Sequence, residues 1–181
     1  MINSLLYNSY HVLGLTVDAT QRDILKRGNE LQKLLKVDEL PSYPGDLLAS
    51  SKIRTEDNIK EALQNLSSPK KRIREYFFWF IENDAIDEKA FEGLTSKSYE
   101  DAIKIWRLAS SKATNKAYFY KKNLALLYCV LLLNENIHNT NYLKNSLDIW
   151  KKLIDSDKFW VSFLQYFKQH DDLNTSAEIV A

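Results

Sequence analysis

Arg22, Lys26, Lys33 and Lys36 are the residues whose spacing most clearly suits binding. At about 100° per residue they share one side of a predicted helix. The opposite side carries Ile24, Gly28, Leu31 and Leu35. Such a face can dock a protein partner; it also describes an ordinary solvated helix face. A second basic group, Lys70, Lys71, Arg72 and Arg74, could hold phosphate, as nucleic-acid-binding segments do, with the same solvated alternative.

Residues suited to catalysis are scattered. His11, His138 and His170 lie far apart with no ligand-like spacing. His170-Asp171-Asp172 is a weak metal-type cluster at a predicted helix end, where a histidine also suits the dipole. Cys129 sits in an apolar run, which favours an inert buried thiol over a nucleophile. Asp84, Asp87, Glu88 and Glu92 could pair as acids, but a solvated linker accounts for them better. The glycines are isolated, so no phosphate-cradling loop is present. Tyr118-Phe119-Tyr120 and Phe159-Trp160, interleaved with Lys116, Lys121, Lys122 and Lys158, could stack bases. Core packing of helices is the stronger reading. No catalytic residue, cofactor or metal is expected, and the chain reads as a binding module, not an enzyme.

The elements that place these residues are helices. Thr20 with Asp23 three residues on marks a helix start and a partial capping box. Gly28 inside the apolar stripe would let a neighbouring helix come close. A connection over residues 38–54 follows, broken by Pro41, Pro44 and Gly45. Thr55 opens a second helix whose Ile59, Ala62, Leu63 and Leu66 make one apolar face. Ser68-Pro69 opens a third, running into Phe77-Phe78-Trp79-Phe80. Residues 83–98 read as a polar connection with one short helix near Glu88 and Phe91, stopped by Gly93. Ser98 then caps a helix with Ala102, Ile105, Trp106 and Ala109 on one side. Residues 115–133 form the most apolar helix, which should be surrounded by others.

Tyr10-His11-Val12-Leu13-Gly14-Leu15 with Asp18-Ala19-Thr20 resembles the opening of a DnaJ-type J domain. Leu66-Ser67-Ser68-Pro69-Lys70-Lys71-Arg72 resembles its close. The resemblance covers about residues 8–80 and implies two long helices joined by a loop, with short helices before and after. It also implies a co-chaperone scaffold whose first long helix offers a basic face to a DnaK-type chaperone. The family's activating tripeptide, His-Pro-Asp, occurs nowhere in the chain; its place falls on Lys36-Val37-Asp38. Only Asp38 matches, so no stimulation of a DnaK-type ATPase is expected. The partner-binding residues implied are Arg22, Lys26, Lys33, Lys36 and Asp38.

A second likeness lies within the chain. Ala102-Ile103-Lys104-Ile105-Trp106-Arg107 is echoed 44 residues later by Ser146-Leu147-Asp148-Ile149-Trp150-Lys151. Paired helical hairpins of similar build are the mark of an α-solenoid. Asn123-Leu124-Ala125-Leu126-Leu127-Tyr128 resembles a helix of a tetratricopeptide repeat, although the period is longer and that family's glycine and closing proline are absent. Thr175-Ser176-Ala177-Glu178 reads as a capping box just before the last residues, so the chain is expected to be the N-terminal part of a longer protein.

Composition agrees with a globular, all-α chain. It is 45% hydrophobic and 27% charged, against only 4 Gly and 3 Pro to break helices. A net charge of +1 supplies no global field toward nucleic acid or anionic lipid. The longest apolar run, residues 124–133, is half of the roughly 20 residues a bilayer span needs. One cysteine and no signal-like start point to a cytoplasmic protein. Two domains are expected: a degenerate J-like domain over residues 1–82 and helical hairpins over 83–181.

Overall fold

The computed structural model describes residues 2–41, 43, 46, 53–133 and 141–170. Among these residues every regular element is a helix, so the fold is all-α. In order they are α1 (Ile2–Leu6), α2 (Ser9–Leu13), α3 (Gln21–Leu35), α4 (Glu56–Ser67), α5 (Pro69–Phe77), α6 (Ala85–Thr95), α7 (Tyr99–Ser110), α8 (Ala117–Leu132), α9 (Asn141–Ile154) and α10 (Asp157–His170). The chain divides into two compact units: residues 1–79 with 166–181, and residues 80–165. The capping box expected at 175–178 and His138 lie outside the described residues, as does much of the connection expected at 38–54.

In the first unit, α3 starts at a complete capping box. Thr20 Oγ1 accepts the Asp23 N–H at 3.2 Å, and the Asp23 carboxylate accepts the Thr20 N–H at 3.1 Å. The Thr20 hydroxyl also donates to the Asp23 carboxylate, and this bond, followed by that from the Thr20 N–H, holds the Asp23 carboxyl below its ordinary range. At α4, Thr55 Oγ1 accepts the Asn58 N–H at 3.2 Å. Ile24 and Leu31 of α3 and Ile59, Ala62 and Leu66 of α4 are buried where the two helices meet the core. The pair runs antiparallel. Gly28 lies against Leu63, while Gln32, Leu35 and Lys36 share a groove with Lys60 and Glu56. A Cβ on Gly28 would sit 2.6 Å from a Leu63 methyl. Glycine there costs about 1 kcal/mol of helix propensity and allows the close approach.

Short helices flank this pair. Asn8 caps α2, its side chain accepting the Tyr10 N–H at 3.0 Å. Gly14 ends it at φ +63°, a left-handed conformation that glycine adopts without strain. A side chain at Gly14 would also collide with the Tyr43 ring. Pro69 takes the first position of α5. Ser68 precedes it with extended backbone but makes no side-chain cap bond, so proline alone marks this start.

In the second unit, α6 begins at Asp84, whose carboxylate accepts the N–H of Ile86 and Asp87 at 3.0 and 3.4 Å. The end of α6 differs from the one expected at Gly93. Gly93 does not stop the helix, which runs on to Thr95. The chain turns at Lys97, with φ +61°. The Lys97 N–H bonds to Leu94 O at 3.0 Å and the Ser98 N–H to Gly93 O at 2.7 Å, the paired closure of a Schellman end. Gly93 lies against the start of α7, where a Cβ would make ordinary contact with Ala102 N at 3.4 Å.

Successive helices pack in order, α6 on α7, α7 on α8 and α8 on α9. α7 buries Ala102, Ile103, Trp106 and Ala109; Ile105, expected in that set, is half-buried. α8 is buried on nearly every side, as its apolar composition requires. α9 buries Tyr142, Ser146, Trp150 and Leu153. No helix among the described residues is long and apolar enough to cross a membrane.

Candidate partner-binding surface

Arg22, Lys26 and Lys33 on α3, with Lys36 just past its end, are all exposed. They occupy an arc of about 80° at the helical repeat. Leu25, 51% exposed, shares that side, as does Asn29. The acids of α3 lie off it: Asp23 closes the cap, and Glu30 pairs with Arg27 at 3.5 Å. The face therefore offers four cations around one aliphatic side chain.

Lys36-Val37-Asp38 completes the last turn of α3. The N–H groups of residues 36, 37 and 38 bond to Lys33, Leu34 and Leu35 carbonyls at 3.2, 3.2 and 3.3 Å. Asp38 then adopts φ +57° and the Glu39 N–H returns to Leu34 O at 3.1 Å. Backbone closure thus explains Asp38 here: Asp tolerates the left-handed region better than most residues. Its side chain and that of Val37 are exposed. Beside this turn lies the groove of about 420 Å³ lined by Gln32, Leu35, Lys36, Glu56 and Lys60. Glu56 and Lys60 pair across one helical turn at 2.7 Å, which lowers the carboxyl and raises the amine.

The second basic group is smaller than its sequence suggests. Lys70, Lys71 and Arg74 are exposed, but Arg72 is buried. Helical spacing puts Arg72 on the side of α5 that carries Glu75 and Tyr76, both buried. Its guanidinium donates to Ala19 O at 2.9 Å and approaches Tyr10 Oη at 3.4 Å. Arg74 pairs with the buried Glu75 at 3.0 Å, and the other Glu75 oxygen accepts the Ser9 N–H at 2.8 Å. Arg72 therefore belongs to the core of the first unit and is not a phosphate ligand.

Two buried polar clusters escaped the sequence reading. In the first unit, Arg54 donates to Val12 O at 3.0 Å, to His11 O at 3.2 Å and to both Asp46 oxygens. The Tyr43 ring lies between two guanidiniums, 4.5 Å from Arg27 and 4.7 Å from Arg54. His11 is buried and stacks on Trp79 at 4.8 Å. Burial lowers its pKa to about 4, so it is neutral at pH 7. This cluster ties the connection between α3 and α4 to α2.

The second unit holds Asp87, read from sequence as a linker acid yet fully buried. It accepts from Trp106 Nε1 at 2.7 Å, the Asn83 N–H at 3.0 Å and Asn123 Nδ2 at 3.2 Å. Asn123 also bonds to both backbone groups of Ile81, at 3.0 and 2.7 Å. Nearby, Asp84 accepts from Lys116 at 2.9 Å and from Tyr120 Oη at 2.7 Å. Burial raises the Asp87 carboxyl to about 6, and lowers the fully buried Lys122 amine to about 7. Lys122 is thus no base-stacking companion. The one sequence signal for this cluster was an asparagine inside the most apolar helix.

Acid and amine poised near neutrality are the raw material of proton transfer, but both side chains are covered by protein. Cys129 is partly exposed, its Sγ 3.1 Å from Ser146 Oγ, and burial raises its pKa, which disfavours the thiolate. Among the described residues no group of three or more His, Cys, Asp and Glu could hold a metal ion. No protein-family model, no curated protein and no solved structure matches the chain.

Proposed function

We propose that the chain is a non-enzymatic protein–protein interaction module, an adaptor built on a degenerate J-like domain. Its first unit uses Arg22, Lys26, Lys33 and Lys36 to dock a protein partner, a DnaK-type chaperone in the first instance. Lacking the activating tripeptide, it binds without stimulating the ATPase. The helices that follow act as a tetratricopeptide-like array with its own contact surfaces. A reducing, cytoplasmic setting fits the thiol of Cys129, which is not in a disulfide.

One observation carries this reading: the basic side of α3 is the open side of an antiparallel pair that has short helices α2 and α5 on either side in sequence. The nucleic-acid alternative keeps Lys70, Lys71 and Arg74 but loses Arg72 to the core. Charge reversal separates the two. R22E/K26E/K33E should weaken binding to the DnaK-type chaperone from the same source by roughly tenfold or more, and K70E/K71E should leave it unchanged. Calorimetric titration reads both. A salt-steep association with a single-stranded oligonucleotide, abolished by K70E/K71E, would support the alternative instead.

A further inference from the structure

The two related segments, 102–107 and 146–151, differ in one respect. Ala102, Ile105 and Trp106 match Ser146, Ile149 and Trp150 in burial. Ile103 is 1% exposed, whereas Leu147 at the equivalent position is 53% exposed. Tyr99 and Ser110 are half-buried; their equivalents, Leu143 and Ile154, are 52% and 54% exposed. Leu143, Leu147 and Ile154 fall within about 40° of one another on the helical wheel and form one row along α9. The row lies beside the side that α9 buries, where α8 packs against it. At its C-terminal end the Trp160 indole donates to Ile154 O at 2.9 Å. Single exposed aliphatics are commonplace; a row of three that its counterpart helix keeps more covered is not.

Charge indicates what covers the row. Its solvent border is formed by Lys144 and Lys151, both exposed and about 100° and 80° from Leu143 on the wheel. A second copy docking by two-fold symmetry would bring this lysine border against its own equivalent. An acidic border on the incoming surface would be attracted. We propose that the row Leu143–Leu147–Ile154 is a docking site for an amphipathic helix of a partner protein, with apolar residues at helical spacing and Asp or Glu along its edge. It is separate from the basic side of α3 and does not rest on that reading.

The test uses the full chain and two synthetic peptides of about five helical turns, each with leucines on one side. One carries Glu along the leucine border; its twin carries Lys. Calorimetry at low salt should show the Glu peptide binding at least about tenfold more tightly than its twin. L147D should weaken that binding by a similar factor, and K144E/K151E should reverse the preference in favour of the Lys peptide. L147A keeps the test open should the charged variant misfold. Absence of Glu-peptide binding, equal affinity for the twins, or indifference to both Leu147 substitutions overturns the proposal. So does a dimer of the chain alone, seen by sedimentation, that L147D dissolves, since the occupant is then a second copy.

Discussion

Asp87→Ala is expected to lower the stability of the unit formed by residues 80–165 by roughly 3 kcal/mol at neutral pH. The substitution removes the acceptor from Trp106 Nε1, the Asn83 N–H and Asn123 Nδ2. Each buried donor left without a partner costs about 1–3 kcal/mol. Release of a buried charge offsets part of that loss. Asp87→Asn separates the two effects, because an amide keeps one acceptor oxygen and carries no charge.

The pH dependence has a defined sign. Asp87 titrates at about 6 in the fold, against an ordinary 3.8. The folded value is the higher one, so its contribution is fully present below pH 3.8 and is lost as pH rises through 6. Over that interval the loss is about 3 kcal/mol. Burial is the main cause, and the neighbouring Asp84 acts in the same direction. Lys122 runs the opposite way: its folded value of about 7 lies below 10.5, so its contribution is complete only above 10.5 and is lost as pH falls through 7. Buried His11 contributes in the opposite sense over much of this window, so the measure is a difference: the urea midpoint of the parent chain relative to that of Asp87→Asn, followed from pH 4 to pH 8, should fall between 4 and 6. Parallel profiles would show that Asp87 is not the group responsible.

Arg54→Ala should be the other severe substitution, at about 3–5 kcal/mol. It removes four hydrogen bonds and leaves the Asp46 carboxylate, 3% exposed, without its guanidinium. The double variant Asp46→Asn/Arg54→Met removes both charges and fills part of the space. It should be less damaging than Arg54→Met alone, with a coupling energy of about 2 kcal/mol in the double-mutant cycle of Asp46→Asn and Arg54→Met. Equal losses for the single and double variants would mean that the ion pair is not what holds the connection.

What was legible in the sequence was local. Thr20 with Asp23, Thr55, and Pro69 announce helix starts because capping depends on residues within one turn. The partnership of α3 and α4 followed from two apolar stripes and a glycine between them. Less legible was anything fixed by distant contacts. Gly93 carries the signature of a helix stop, but the helix runs past it and Lys97 makes the turn. Arg72 reads as one cation among four until α5 is rotated against α2. Asp87 is indistinguishable from its acidic neighbours until Trp106 and Asn123 close on it, from 19 and 36 residues away. The solvent-facing basic stripe was predictable because helical periodicity alone decides it.

The proposed role of α3 is docking by a J-like helix pair that lacks the activating tripeptide. The most direct measurement is the steady-state ATPase rate of the DnaK-type chaperone from the same source, titrated with the full chain to saturation of binding. The rate should stay at its basal value while the chaperone is bound, and K36H/V37P, which places His-Pro ahead of Asp38, should raise it. Acceleration by the parent chain, or saturating concentrations with no complex formed, would overturn the proposed docking role.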